Sequence, residues 1–126
     1  MPKKVLVIDD SATIRSMISN SIEEIGDFET LEASNGFEAL KMLPATLFDL
    51  IITDINMPEI NGLEIVNFVR NHPVYQKIPL IIVTTEQGEE DRKKGIELGA
   101  TEYVTKPFDP EELKKIVLKV MEEPLS

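Results

Sequence analysis

The chain has 126 residues, with 13 Lys plus Arg against 23 Asp plus Glu, a formal net charge of −10 at pH 7, and no cysteine. The length suits one domain that buries roughly two-thirds of the surface its unfolded form exposes. The missing thiols exclude disulfides, thiolate metal sites and thiol catalysis, and the acidity opposes binding to nucleic-acid backbones and anionic membrane surfaces.

No apolar run approaches the ~18 residues of a membrane span or fits a secretory leader. A cytoplasmic protein that binds neither nucleic acid nor membrane is expected. Residues 4–9 read as a first strand, because the continuous apolar run 5–8 suits a parallel sheet covered on both faces. Ser11 caps a helix with Ile14, Met17, Ile18, Ile22 and Ile25 on its inner face, stopping near Gly26. Residues 28–33 form a weaker strand, and Asn35 caps a short helix with Ala39, Leu40 and Leu43 that Pro44 ends.

Residues 49–53 are the third strand, and a helix from Gly62 to about Asn71 follows, with Leu63, Ile65, Val66 and Val69 inward and Pro73 beyond it. The fourth strand spans 79–84. The helix over 88–98 is the least well specified. Glu89 with Lys93 and Glu90 with Lys94 pair along it, Gly95 weakens it, and only Ile96 and Leu98 look inward. Gly99 ends it and residues 101–105 make the fifth strand. Asp109, Pro110 and Glu112 supply a cap, a first-turn proline and a capping-box acid for a last helix with Leu113, Ile116, Val117, Val120 and Met121 inward.

Five strands each followed by a helix predict an α/β fold: a doubly wound, flavodoxin-like (βα)5 domain over residues 1–126, with a parallel sheet in the order 2-1-3-4-5 and helices on both faces. In that order the winding reverses between strands one and three, and ligands bind there, outside the carboxyl ends of the strands. Asp9 and Asp10 end strand one and Asp54 ends strand three, so the topology brings three carboxylates into one crevice. Two unit charges about 4 Å apart repel by about 4 kcal/mol at the effective dielectric near a protein surface. Three such groups must share protons or hold a cation, and oxygen-only ligands suit Mg²⁺. Thr84 ends strand four and Lys106 follows strand five, adding a hydroxyl and an ammonium. Nucleophile, metal, hydroxyl and fixed cation together fit phosphoryl transfer to a carboxylate.

The stretches VIDDS (Asp9, Asp10), TDINMPEING (Asp54, Met57, Pro58, Gly62), IVTT (Thr84) and GATEYVTKPF (Tyr103, Lys106, Pro107) occur in the order and spacing of a known family. Over essentially its whole length the chain resembles the CheY-like receiver domains of two-component response regulators. The resemblance implies that Asp54 accepts a phosphoryl group from the phosphohistidine of a sensor histidine kinase. It implies that Asp10, Asp54 and the backbone carbonyl of Asn56 ligate Mg²⁺, with Asp9 acting mostly through water. Lys106 would pair with the phosphoryl oxygens, and its bond to Pro107 would be cis.

The resemblance further makes Thr84 and Tyr103 a switch pair that remodels the face formed by the fourth helix, fifth strand and fifth helix. An output protein would bind there, with a chemotaxis-type output favoured because Asn56 and Glu86 match chemotaxis-type members, and a flagellar motor switch as one such partner. Asn56 and Glu86 correspond to positions that tune self-hydrolysis, and Thr85 departs from the small residue usual after the switch threonine. A separate phosphatase is a further partner to expect, and either a monomer or a phosphorylation-dependent dimer is compatible.

A stand-alone receiver without an output domain, controlling a protein partner, is therefore the expected function, with a phosphoryl sink or relay as a variant. It would be no enzyme beyond catalysing its own phosphorylation and dephosphorylation. A Mg²⁺ phosphatase acting on an outside substrate is disfavoured because Asp9 and Asp10 are adjacent rather than spaced Asp-x-Asp, and no cap domain is evident. A flavin carrier would need a Ser/Thr/Gly-rich phosphate loop where this chain has DDSATI. A receiver-like module that binds without phosphate stays open. His72, in RNHPV, is expected in a loop with no relay role.

Overall fold

The computed structural model describes residues 2–85 and 88–122. Among these residues ten elements alternate: β1 (Lys3–Ile8), α1 (Ala12–Ile25), β2 (Phe28–Ala33), α2 (Gly36–Met42), β3 (Leu50–Asp54), α3 (Gly62–Asn71), β4 (Leu80–Thr85), α4 (Glu89–Leu98), β5 (Glu102–Lys106) and α5 (Pro110–Glu122). The strands form one parallel sheet in the order β2-β1-β3-β4-β5, the predicted doubly wound arrangement. Among the described residues no helix is long and apolar enough to cross a membrane.

Alternation within the strands divides the core in two. Val5 and Val7 of β1, Leu50 and Ile52 of β3, and Ile81 and Val83 of β4 pack with Ile18 and Ile22 of α1 and Leu113 and Val117 of α5. Their neighbours Leu6, Ile8, Ile51 and Ile82 point the other way, onto Ala39 of α2 and Ile65, Val66 and Val69 of α3. Each fully buried large aliphatic contributes about 1.5–3 kcal/mol relative to leaving it in water.

The strand bounds differ from expectation in a way that matters for the site. β1 runs 3–8 rather than 4–9, while β3, β4 and β5 each start and end one residue later than expected. Pro79 has no N–H to give the ladder, so β4 begins at Leu80, and Ile51 N–H bonds to the Pro79 carbonyl. At the other end Asp54 lies opposite Val83, and Thr85 opposite Lys106, within the parallel register. Asp54 and Lys106 are thus strand residues whose backbones the sheet holds, not the first residues of loops.

The helix caps fall largely where expected. Ser11 accepts from Ile14 N–H and Asn35 from Glu38 N–H. The full capping box lies on α3, where Asn61 and Glu64 bond reciprocally. On α5, Asp109 accepts from Glu111 N–H, so the bond formed is not one that involves Glu112. Met17, expected on the inner face of α1, is 39% exposed, while Ser21 one turn later is buried with its hydroxyl donating to the Met17 carbonyl.

α4 corrects the sequence reading most. Ile96 and Leu98 are exposed, and the buried residue is Gly95. A β-carbon there would lie 2.5 Å from Ile82 Cδ1, so the glycine is what lets the helix approach the sheet. Glu89 pairs with Arg92 one turn on. His72 ends α3, its Nδ1 accepting from Val74 N–H and its ring stacked on Tyr75.

Candidate phosphoryl-accepting site

Three strand ends build the site. Asp9 continues β1, its N–H bonded to the Ala33 carbonyl, and its carboxylate is fully buried. One of its oxygens accepts from Ser11 N–H at 2.8 Å and the other from Lys106 Nζ at 3.1 Å. Lys106, from the end of β5, also lies 3.5 Å from Asp54 Oδ1. Asp10 is exposed beside them, and carboxylate oxygens of Asp9, Asp10 and Asp54 lie within 4.8 Å of one another. The Lys106–Pro107 peptide bond is cis.

The electrostatics follow from this crowding. Burial pushes the Asp54 carboxyl up from its ordinary value of 3.8 to about 6; the Asp9 charge adds to the rise, and Lys106 and the Asn56 backbone amide partly oppose it. Ionised Asp54 thus carries a charge that its surroundings do not fully compensate. One ammonium against three carboxylates leaves two negative charges, which a divalent ion neutralises. The donor set is all oxygen, with neither His nor Cys, so it fits Mg²⁺ rather than a softer metal.

The loop after β3 is pinned by a close approach. Gly62 begins α3 with its N–H bonded to the Ile55 carbonyl, and a β-carbon at that position would sit on the Asp54 carbonyl oxygen. Met57 is buried beneath this loop and Asn56 is exposed on it.

Thr84 is buried on β4, and its hydroxyl lies 3.4 Å from the carbonyls of both Thr85 and Gly88. Thr85 is exposed, and Glu86 lies outside the described residues. Tyr103 stands opposite Ile82 in the register, half-buried against the α3 side of the sheet. Thr84, two residues beyond Ile82, shares that face. The structure therefore gathers Asp9, Asp10, Asp54 and Lys106 into one cluster, with Thr84 and Tyr103 on the neighbouring β4–β5 strip under α4.

Three arginines escaped the sequence reading. Arg15 donates to the Asp9 carbonyl at 2.7 Å and pairs with Glu32, which also accepts from Ser19. Arg70 reaches from α3 to the carbonyls of Gly99, Gln76 and Ile78 and to the Thr101 hydroxyl. Arg92 lies over the Tyr103 ring. The position of Arg15 four residues after the cap Ser11 is a usable signal, since it returns the side chain to the strand end. Nothing in the sequence points to the partners of the other two.

Comparison with known proteins covers most of the chain. The family model of the response regulator receiver domain matches residues 5–118. The chemotaxis protein CheY1 of Helicobacter pylori is 42% identical over 113 residues, covering 89% of this chain and 91% of that protein. The chain also matches a segment of the sensor histidine kinase CheAY of the same organism, at 41% identity over 90% of this chain and 14% of that protein. Among solved structures, chemotaxis protein CheY4 of Vibrio cholerae superimposes with a TM-score of 0.87 at 40% identity, over 95% of this chain and 99% of that one.

Proposed function

This chain belongs to the response regulator receiver family, and from that premise we propose that Asp54 accepts a phosphoryl group from the phosphohistidine of a sensor histidine kinase. CheY-like receiver domains are signalling phosphoacceptors rather than enzymes turning over an outside substrate. The observation that carries the assignment to Asp54 is the cluster itself: a buried carboxylate pushed up to about 6, with an ammonium 3.5 Å away and two further carboxylates within 4.8 Å.

In this reading an Asp54 oxygen forms a bond to phosphorus as the phosphorus–nitrogen bond of the phosphohistidine breaks. Lys106 then exchanges part of its contact with Asp9 for a phosphoryl oxygen, and the Thr84 hydroxyl donates to another. Asp9, Asp10, Asp54 and the Asn56 carbonyl would hold Mg²⁺, which when bound supplies charge neutralisation at the phosphoryl oxygens. Water then hydrolyses the acyl phosphate, releasing inorganic phosphate and restoring the Asp54 carboxylate, at a rate tuned by Asn56, Thr85 and Glu86.

Movement of Thr84 and Tyr103 would pass the change to the α4, β5 and α5 face, where an output protein binds. Similarity to chemotaxis proteins supports a chemotaxis-type output; a flagellar motor switch is one partner of that class. The test is intact-protein mass after incubation with acetyl phosphate, with and without Mg²⁺. One Mg²⁺-dependent phosphoryl adduct is expected on the parent and none on Asp54→Asn; an adduct that survives the substitution would overturn the assignment.

A further inference from the structure

Arg92 occupies a place between the two members of the Thr84–Tyr103 pair. Its backbone N–H donates to the Gly88 carbonyl at 2.9 Å, and that same carbonyl lies 3.4 Å from the Thr84 hydroxyl. Its guanidinium carbon lies 4.9 Å from the centroid of the Tyr103 ring, and Nη1 is 3.3 Å from the phenol oxygen. Glu89 steadies the other side of the guanidinium at 3.4 Å. Gly88, the residue before α4, provides no side-chain cap, and a β-carbon there would lie 2.6 Å from the Thr84 hydroxyl.

We infer that Arg92 is a positioning residue for Tyr103: it holds the ring in its half-exposed place and connects it to Thr84 through the Gly88 carbonyl. This rests on the receiver reading of the site. A cation above an aromatic face is attracted by the ring quadrupole, and here the same group also donates to the phenol oxygen, so the ring cannot turn inward without breaking both contacts. The Arg92 N–H at 2.9 Å and the Thr84 hydroxyl at 3.4 Å, the latter shared with the Thr85 carbonyl, converge on the Gly88 carbonyl. Drawing the hydroxyl toward a phosphoryl group on Asp54 withdraws one of the two donors and loosens the uncapped first turn of α4. Arg92 rides on that turn, so the turn's movement lifts the guanidinium from the ring. The inward turn of Tyr103 thereby depends on events at Asp54 without any contact between those two side chains.

The chain has two tyrosines and no tryptophan, so Tyr75→Phe leaves Tyr103 as the sole tyrosine. In that background the ¹H–¹³C ring signal of Tyr103 is recorded in the whole chain before and after loading with acetyl phosphate and Mg²⁺, and intact mass measures the loading. In Arg92→Ala the ring signal before loading should already lie part of the way toward its loaded position. One exposed cation–π contact predicts about a two- to fivefold rise in the inward population. Arg92→Lys, which keeps a cation over the ring, should restore most of the parent position.

An adduct accompanied by an unchanged ring signal in Arg92→Ala overturns the inference and leaves the receiver reading intact. An equal shift in Arg92→Lys and Arg92→Ala would indicate general repacking of α4 and overturns it too. Absence of any Mg²⁺-dependent adduct on the parent overturns the receiver reading first, and the inference with it.

Discussion

α3 and α4 are neighbouring helices of ten residues each on the same side of the sheet, yet they are held in opposite ways. α3 begins in a reciprocal capping box and buries Gly62, Ile65, Val66 and Val69. α4 begins without a side-chain cap, starts with Glu89, Glu90 and Asp91, and buries only Gly95. The first-turn acids suit the helix dipole but contribute less than a buried stripe does. Its far end is fastened from outside, since the Arg70 side chain of α3 donates to the Gly99 carbonyl and to the Thr101 hydroxyl. The helix that carries the Asp54 loop is thus fixed by its own sequence. The one beside Thr84 and Tyr103 is tethered at its C-terminal end and lacks a side-chain cap at its N-terminal turn.

Substitutions at the glycines and at Arg70 test that contrast. Gly62→Ala should be the most damaging, about 3 kcal/mol, because the new methyl meets backbone at Asp54 and neither side has a rotamer to yield. Urea unfolding with an unchanged m-value reads the loss, and a cost near zero would mean that α3 is not pinned at this point.

Arg70→Met keeps the apolar stem but leaves the carbonyls of Gly99, Gln76 and Ile78 without their donors. It should cost about 2 kcal/mol. Hydrogen exchange should accelerate at Gly99, Ala100 and Thr101 more than within α3. Equal acceleration in both helices would remove the tether from the explanation.

Asp54→Asn probes the fixed end. The folded carboxyl sits at about 6 against 3.8, so its contribution to stability is fully present below 3.8 and is lost as pH rises through about 6. Replacing it should therefore stabilise the Mg²⁺-free protein by about 1–2 kcal/mol at pH 7, with solvent screening allowed for, and the gain should vanish below about pH 4. Denaturation curves across that pH range check the sign; a destabilised Asp54→Asn at pH 7 would contradict it.

Gly95→Ala should be the mildest, within about 1 kcal/mol of the parent, because the gain in helix propensity offsets a contact with the rotatable end of Ile82. A loss as large as that of Gly62→Ala would show α4 to be packed as rigidly as α3.

Much of this was legible beforehand for reasons that are local. The apolar runs of residues 5–8 and 50–52 announce strands covered on both faces, and Ser11, Asn35 and Gly99 act as caps within a few residues of themselves. The sequence misleads at α4 because Ile96 and Leu98 are its apolar side chains, while the residue it buries is Gly95, facing Ile82 Cδ1. A glycine that permits close approach and one that merely weakens a helix look the same in sequence; only the facing atom distinguishes them, here Ile82 Cδ1. Strand ends were off by one because pairing partners, not propensity, decide where a ladder stops.

The sequence by itself determined the alternation of elements, the winding order and hence the meeting of Asp9, Asp10 and Asp54, because crossover handedness leaves few topologies for five βα units. The tertiary structure decided what those groups become. Burial beside Asp9 raises the Asp54 carboxyl to about 6, and Lys106 arrives from the last strand to bridge both acids. It also decided where Arg15, Arg70 and Arg92 go. A guanidinium on a long flexible stem takes its partners from whatever surfaces the fold places within reach, and those surfaces are set by residues distant in the chain.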